Sequence, residues 1–79
     1  MLTEANVRKA LEEAIHSDAP RSWSKDYDFR QGGALDSLDH VTFLLALSEA
    51  HAFKFKDQDV PRLKTIQAVL DFAARAGPG

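Results

Sequence analysis

The sequence predicts a small all-α protein: a four-helix bundle of three main helices and one short one. Three observations predict it. Apolar residues recur at helical spacing in three separate stretches. The alternating stretch Phe53-Lys54-Phe55-Lys56 is too brief to read as a strand. The chain has 79 residues, room for one small domain over 1–79, with 78–79 expected to form a flexible tail.

The first helix is expected from Thr3 to Ser17. Val7, Leu11, Ala14 and Ile15 make its apolar stripe, with Ala10 beside them. Thr3 suits the N-cap and Glu4 the first turn. Asp18 to Leu35 holds Pro20, Gly32 and Gly33 and has no clean period, so it reads as a long loop. Trp23, Tyr27 and Phe29 lie in it, and Phe29 is expected to fold back over the core. A second helix runs from Ser37 to about Ala52. Phe53 to Lys56 reads as an extended link with both phenylalanines turned inward. Asp57 to Leu63 has room for one short helical turn. The last helix starts near Thr65, with Ile66, Val69, Leu70 and Ala73 as its buried stripe. Gly77-Pro78-Gly79 is its stop signal.

Bulk composition removes several function classes. The chain has no cysteine, which excludes a disulfide framework and a Cys-based zinc site and suits a reducing compartment. The longest apolar run, Phe43-Leu44-Leu45-Ala46-Leu47, is far too short to cross a membrane. The first residues, MLTEANVRKALEEA, carry acids where a signal peptide needs an apolar stretch, so a cytoplasmic location is expected. A net charge of −2 argues against nucleic acid as a partner. From Gln31 to Phe53 there is no Lys or Arg, only Asp36, Asp39 and Glu49. All ten basic residues lie outside that acidic middle segment.

The second helix carries two apolar faces. At about 100° per residue, Phe43, Leu44, Leu47 and His51 gather on one side, together with His40. Leu38, Val41 and Leu45 gather nearly opposite, flanked by Asp39, Thr42, Ser48 and Glu49. A bundle helix normally buries one face. The Phe43 side is expected in the core, and the Leu38 side is expected to form an exposed patch for partners. Its acidic rim would attract basic ones. Ser37 lies at the amino end of this helix, where free amide N–H groups and the helix dipole favour a capping hydroxyl or an anion. An attached phosphate ester would be well placed there.

Asp36-Ser37-Leu38 is an Asp-Ser-Leu motif, and its surroundings match those of a known family. Phe29 stands eight positions upstream of Ser37, and Asp39 follows Leu38. Val41, Leu45 and Glu49 come next, then Phe55, Asp57, Asp59, Leu63, Thr65-Ile66-Gln67-Ala68 and Asp71-Phe72. On these residues the chain resembles the acyl carrier proteins, small four-helix domains that carry acyl groups on a 4′-phosphopantetheine arm. The pattern lies on the sequence without a gap from Phe29 to Phe72, and the first helix agrees in length and period.

The resemblance implies that Ser37 is the covalent attachment point for 4′-phosphopantetheine taken from coenzyme A. It implies that Asp36 and Leu38 serve the same site, Asp36 toward the modifying transferase and Leu38 beside the arm. Asp39, Val41, Leu45 and Glu49 would then form the partner face. The implied partners are a phosphopantetheinyl transferase, an acyl- or aminoacyl-loading ligase or transferase, and downstream synthases or transferases. The carrier would be a monomer and no enzyme, since the cargo rides as a thioester and others act on it.

Departures from the family pattern bear on the pathway. Gly33-Ala34-Leu35-Asp36-Ser37 is closer to the Gly-x-Leu-Asp-Ser variant of stand-alone carriers in dedicated pathways than to the Gly-Ala-Asp-Ser-Leu of fatty-acid carriers. Position 42, commonly acidic, is Thr42, and His51 stands where a core phenylalanine is usual. Lys54, Lys56, Arg62 and Lys64 make the second half more basic. These features favour polyketide, aminoacyl or modified-lipid assembly. The alternatives are a fatty-acid synthesis carrier or a degenerate, unmodified helical interaction module. A serine hydrolase would need a base within reach of Ser37 and an oxyanion hole; His40, three residues on, points about 60° away on the helical wheel, and the chain has no Gly-x-Ser-x-Gly elbow. His16, His40 and His51 lack metal-motif spacing.

Overall fold

The computed structural model describes residues 2–76. It is all-helical among those residues, as expected. α1 spans Glu4–Ile15, α2 Ser37–His51 and α3 Ile66–Ala76. Two 3-10 turns lie between them, at Ala19–Ser22 and Asp57–Arg62. The second is the expected short helix. The first was not legible in a stretch without a period. The proposed stop at Gly77-Pro78-Gly79 and the tail at 78–79 lie outside the described residues.

α1 starts where Thr3 predicts. The Thr3 hydroxyl accepts from the Asn6 amide, and the Asn6 side-chain oxygen accepts from the Thr3 amide, both at 3.1 Å. This reciprocal pair satisfies two otherwise free donors. Val7, Ala10 and Leu11 are its buried residues. The helix stops at Ile15, before the expected Ser17, because His16 turns left-handed at φ 54°. α2 closes in the same way at Ala52, φ 56°. α3 is capped by Thr65, whose hydroxyl accepts from the Ala68 amide at 2.9 Å.

α1 packs against both α2 and α3. The core takes Leu11 from α1, Phe43, Leu44 and Leu47 from α2, and Ile66 and Val69 from α3, all fully buried. Phe53 and Phe55 turn inward as expected. Phe53 is buried and meets the Phe72 ring at 5.6 Å. His51 does not join the core: the helical wheel places it beside Phe43 and Leu47, but it is exposed. It is the last residue of α2, and the left-handed Ala52 reverses the chain there. Phe53, two residues on, is the side chain that turns into the core.

The segment between α1 and α2 is tied down along its length. The Arg8 guanidinium donates to the carbonyls of Pro20 and Trp23 at 2.6 and 2.7 Å. Phe29 is fully buried, edge-on to Phe43 at 5.7 Å. Its amide donates to the Lys64 carbonyl at 3.0 Å, and the Gln67 amide donates to the Lys25 carbonyl at 3.0 Å. The Leu35 amide returns to the Phe29 carbonyl at 2.9 Å, closing the turn that precedes α2. That turn needs its glycines. A side chain on Gly32 would overlap the Tyr27 ring, and Gly33 takes φ +81°.

Candidate functional site

The closed turn delivers Asp36 and Ser37 to the start of α2. The N-cap is Asp36, not Ser37: its Oδ1 accepts from the Asp39 amide at 2.8 Å. Ser37 is the first helical residue, and its exposed hydroxyl is not used for capping. Carboxylates and hydroxyls cap with similar strength, so the motif alone did not separate the two.

The hydroxyl of Ser37 instead accepts a hydrogen bond from Arg30 Nη2 at 3.2 Å. The same guanidinium reaches His40 Nδ1 through Nη1 at 3.1 Å. Arginine has only donors, so Nδ1 must be the acceptor and His40 carries its proton on Nε2. Nε2 then donates to the Leu63 carbonyl at 2.7 Å. His40 is fully buried, edge-on to Phe29 at 5.5 Å. Burial pushes its pKa below the ordinary histidine value. The Leu63 carbonyl opposes that shift, and the Arg30 cation adds to it. Both ring nitrogens of His40 are thus occupied, and the partner of the Ser37 hydroxyl is Arg30 rather than the histidine.

Arg30 is held from behind by its own turn. The Asp28 carboxylate accepts from the amides of Arg30 and Gln31 at 3.0 and 2.8 Å. Lys64 Nζ lies 3.7 Å from its other oxygen. The Gln31 amide chiefly, with the Arg30 amide and Lys64, pulls the Asp28 pKa below the usual carboxylate value against the effect of burial. With both oxygens engaged in this way, Asp28 leaves the guanidinium to Ser37 and His40. Arg30 was not singled out in the sequence. The signal that could have found it is His40 on the apolar face of α2, a polar ring that needs partners once buried.

The remaining sequence-predicted residues fall where the wheel puts them. Leu38, Val41 and Leu45 are 74%, 38% and 51% exposed, whereas Phe43, Leu44 and Leu47 on the other side are buried. Glu49 is exposed beside them, and Asp39, half-buried, flanks the stripe on the side toward Phe43. The expected patch is therefore real as a surface: three apolar side chains in line with Ser37, bordered by acids. Among the described residues no helix is long and apolar enough to cross a membrane.

An acyl carrier protein of Thermosynechococcus vestitus is 46% identical to the chain over 37 residues. Those residues are 47% of this chain and 46% of that protein, so the chain spans about half the length of the curated relative it matches. No protein-family profile matches the chain, and no solved structure matches it. The resemblance to acyl carrier proteins read from Asp36-Ser37-Leu38 and its surroundings agrees with this similarity, and the all-helical fold is consistent with it.

Proposed function

We propose that this chain is a carrier rather than an enzyme, holding acyl or aminoacyl groups as thioesters on a 4′-phosphopantetheine arm joined to Ser37. The observation that carries the reading is the state of Ser37. Its hydroxyl is exposed at the amino end of a long helix, relieved of capping by Asp36, and bonded to a cation. An exposed hydroxyl leaves space for a covalently joined arm, and a guanidinium neighbour fits a phosphodiester better than a neutral hydroxyl. The bound group would supply the thiol that holds the cargo; the chain supplies attachment and recognition. Asp36 fixes the helix start beside the transferase's target. Leu38, Val41 and Leu45 offer apolar contact, and Asp39 and Glu49 orient basic partner enzymes. A patch of this size suits brief, weak encounters with a transferase, a loading enzyme and downstream synthases. Thr42 and the basic residues of the second half favour a dedicated pathway over bulk fatty-acid synthesis.

The test is an intact mass after incubation with coenzyme A and a promiscuous phosphopantetheinyl transferase. A gain of one phosphopantetheine, absent in Ser37→Ala, is expected. No gain with several transferases would leave the unmodified interaction module as the reading.

A further inference from the structure

We propose that Arg30 is the clamp for the phosphodiester formed at Ser37, with His40 fixing the clamp in place. This rests on the carrier reading of Ser37 and adds a residue to it. In the transfer, Ser37 Oγ forms a new bond to the phosphorus as the pyrophosphate linkage of coenzyme A breaks. Adenosine bisphosphate leaves with the bonding electrons, and the transferase takes the hydroxyl proton. The product carries one negative charge on its non-bridging oxygens, two bonds out from Oγ.

Arg30 Nη2 already lies 3.2 Å from that Oγ. A neutral hydroxyl gives the guanidinium a lone pair but no charge; a phosphate oxygen adds ionic attraction to the hydrogen bond. A small turn of the side chain moves Nη2 from the hydroxyl to the phosphate. His40 determines which way the guanidinium can go. Its Nδ1 holds Nη1 at 3.1 Å, and its own Nε2–H is anchored on the Leu63 carbonyl. A fully buried ring with both nitrogens engaged is a rigid post. The Arg30 side chain is thus fastened at its far end before any phosphate is present, which lowers the entropy lost on binding it.

Neither Asp28 nor Asp36 is bonded to the guanidinium, whose partners are His40 and Ser37. Asp28 is occupied by two amides and Lys64, and Asp36 Oδ1 is occupied as the cap. Arg30 is also the last basic residue before the acidic segment that begins at Gln31. It is placed to offset the charge that the arm adds to an acidic face.

The experiment is phosphorus NMR on modified protein, after intact mass has confirmed the arm. The phosphodiester resonance of the wild-type protein is expected to differ from that of Arg30→Gln at low salt. It should move toward the Arg30→Gln position as salt is raised, with Arg30→Lys in between. The Arg30 guanidinium N–H signals, assigned by their loss in Arg30→Lys, should shift between unmodified and modified protein. A phosphorus resonance identical in wild type and Arg30→Gln overturns the clamp while leaving the carrier reading standing. If Arg30→Gln refuses the arm, the wild-type protein decides alone: a resonance that ignores salt, with unshifted Arg30 N–H signals, overturns the clamp. Failure of wild-type protein to gain the arm at all overturns the carrier reading, and the clamp with it.

Discussion

Asp36 and Ser37 sit side by side at one helix start and do different things there. Asp36 satisfies the Asp39 amide, so Asp36→Ala should cost about 1 kcal/mol of stability. Ser37→Ala removes an exposed hydroxyl that caps nothing and should change stability by less than about 0.5 kcal/mol. Urea unfolding of the two variants at neutral pH checks this, and the reverse order would return the cap to Ser37. His40 gives the molecule a pH dependence. Its folded-state pKa lies below the ordinary value of about 6.5. As pH falls through that value the unfolded chain takes up a proton that the buried ring refuses. Stability from this group is therefore complete above about pH 6.5 and declines below it, until the folded-state pKa is reached. Unfolding measured from pH 8 down to pH 5 should show the decline, and His40→Asn should flatten it. At this scale the sequence yields residues that belong to a motif or a period, such as Ser37 and Leu45. Arg30 belongs to neither. It matters because a folded turn brings it onto α2, seven positions before Ser37, where no helical or strand register relates the two.

α2 is the element whose two faces divide structure from recognition. Leu47 is fully buried and Leu45, two residues away, is 51% exposed. Leu47→Ala should lose about 2–5 kcal/mol. Leu45→Ser should stay within about 0.5 kcal/mol of the parent while slowing turnover of the loaded carrier by a partner enzyme. Chemical denaturation and a coupled turnover assay read the two effects separately; a large stability loss in Leu45→Ser would place that side chain in the core. This division was legible from spacing, since burial follows the helical period wherever a helix lies flat on its neighbours. It failed at His51, where the helix ends and the left-handed Ala52 turns the chain. The turn at Ala19–Ser22 was hidden for a different reason. A four-residue 3-10 element has no period to detect, and its fixing bonds come from Arg8, eleven residues before its start.

Across the whole molecule, backbone hydrogen bonds join the long connection to the third helix. The Phe29 amide is bound to Lys64 and the Gln67 amide to Lys25, while His40 joins α2 to Leu63. The connection should therefore open with the bundle rather than before it. Hydrogen exchange should give the Phe29 and Gln67 amides protection close to that of the α3 interior. Much faster exchange at both would make the connection a separate, looser unit. The left-handed residue at Ala52 has a consequence of another kind. An L-residue with a Cβ in that conformation sits roughly 1–2 kcal/mol above its right-handed form, whereas glycine takes it freely at some cost in unfolded-chain entropy. Ala52→Gly should thus raise the melting temperature, by up to about 1 kcal/mol in stability. Fifteen helical residues separate this position from the start of α2, about 22 Å at the helical rise. Thermal denaturation would register the gain, and the modification rate of Ser37 should not change. For anyone building with this scaffold, durability can be engineered at one end of α2 while chemistry is exchanged at the other.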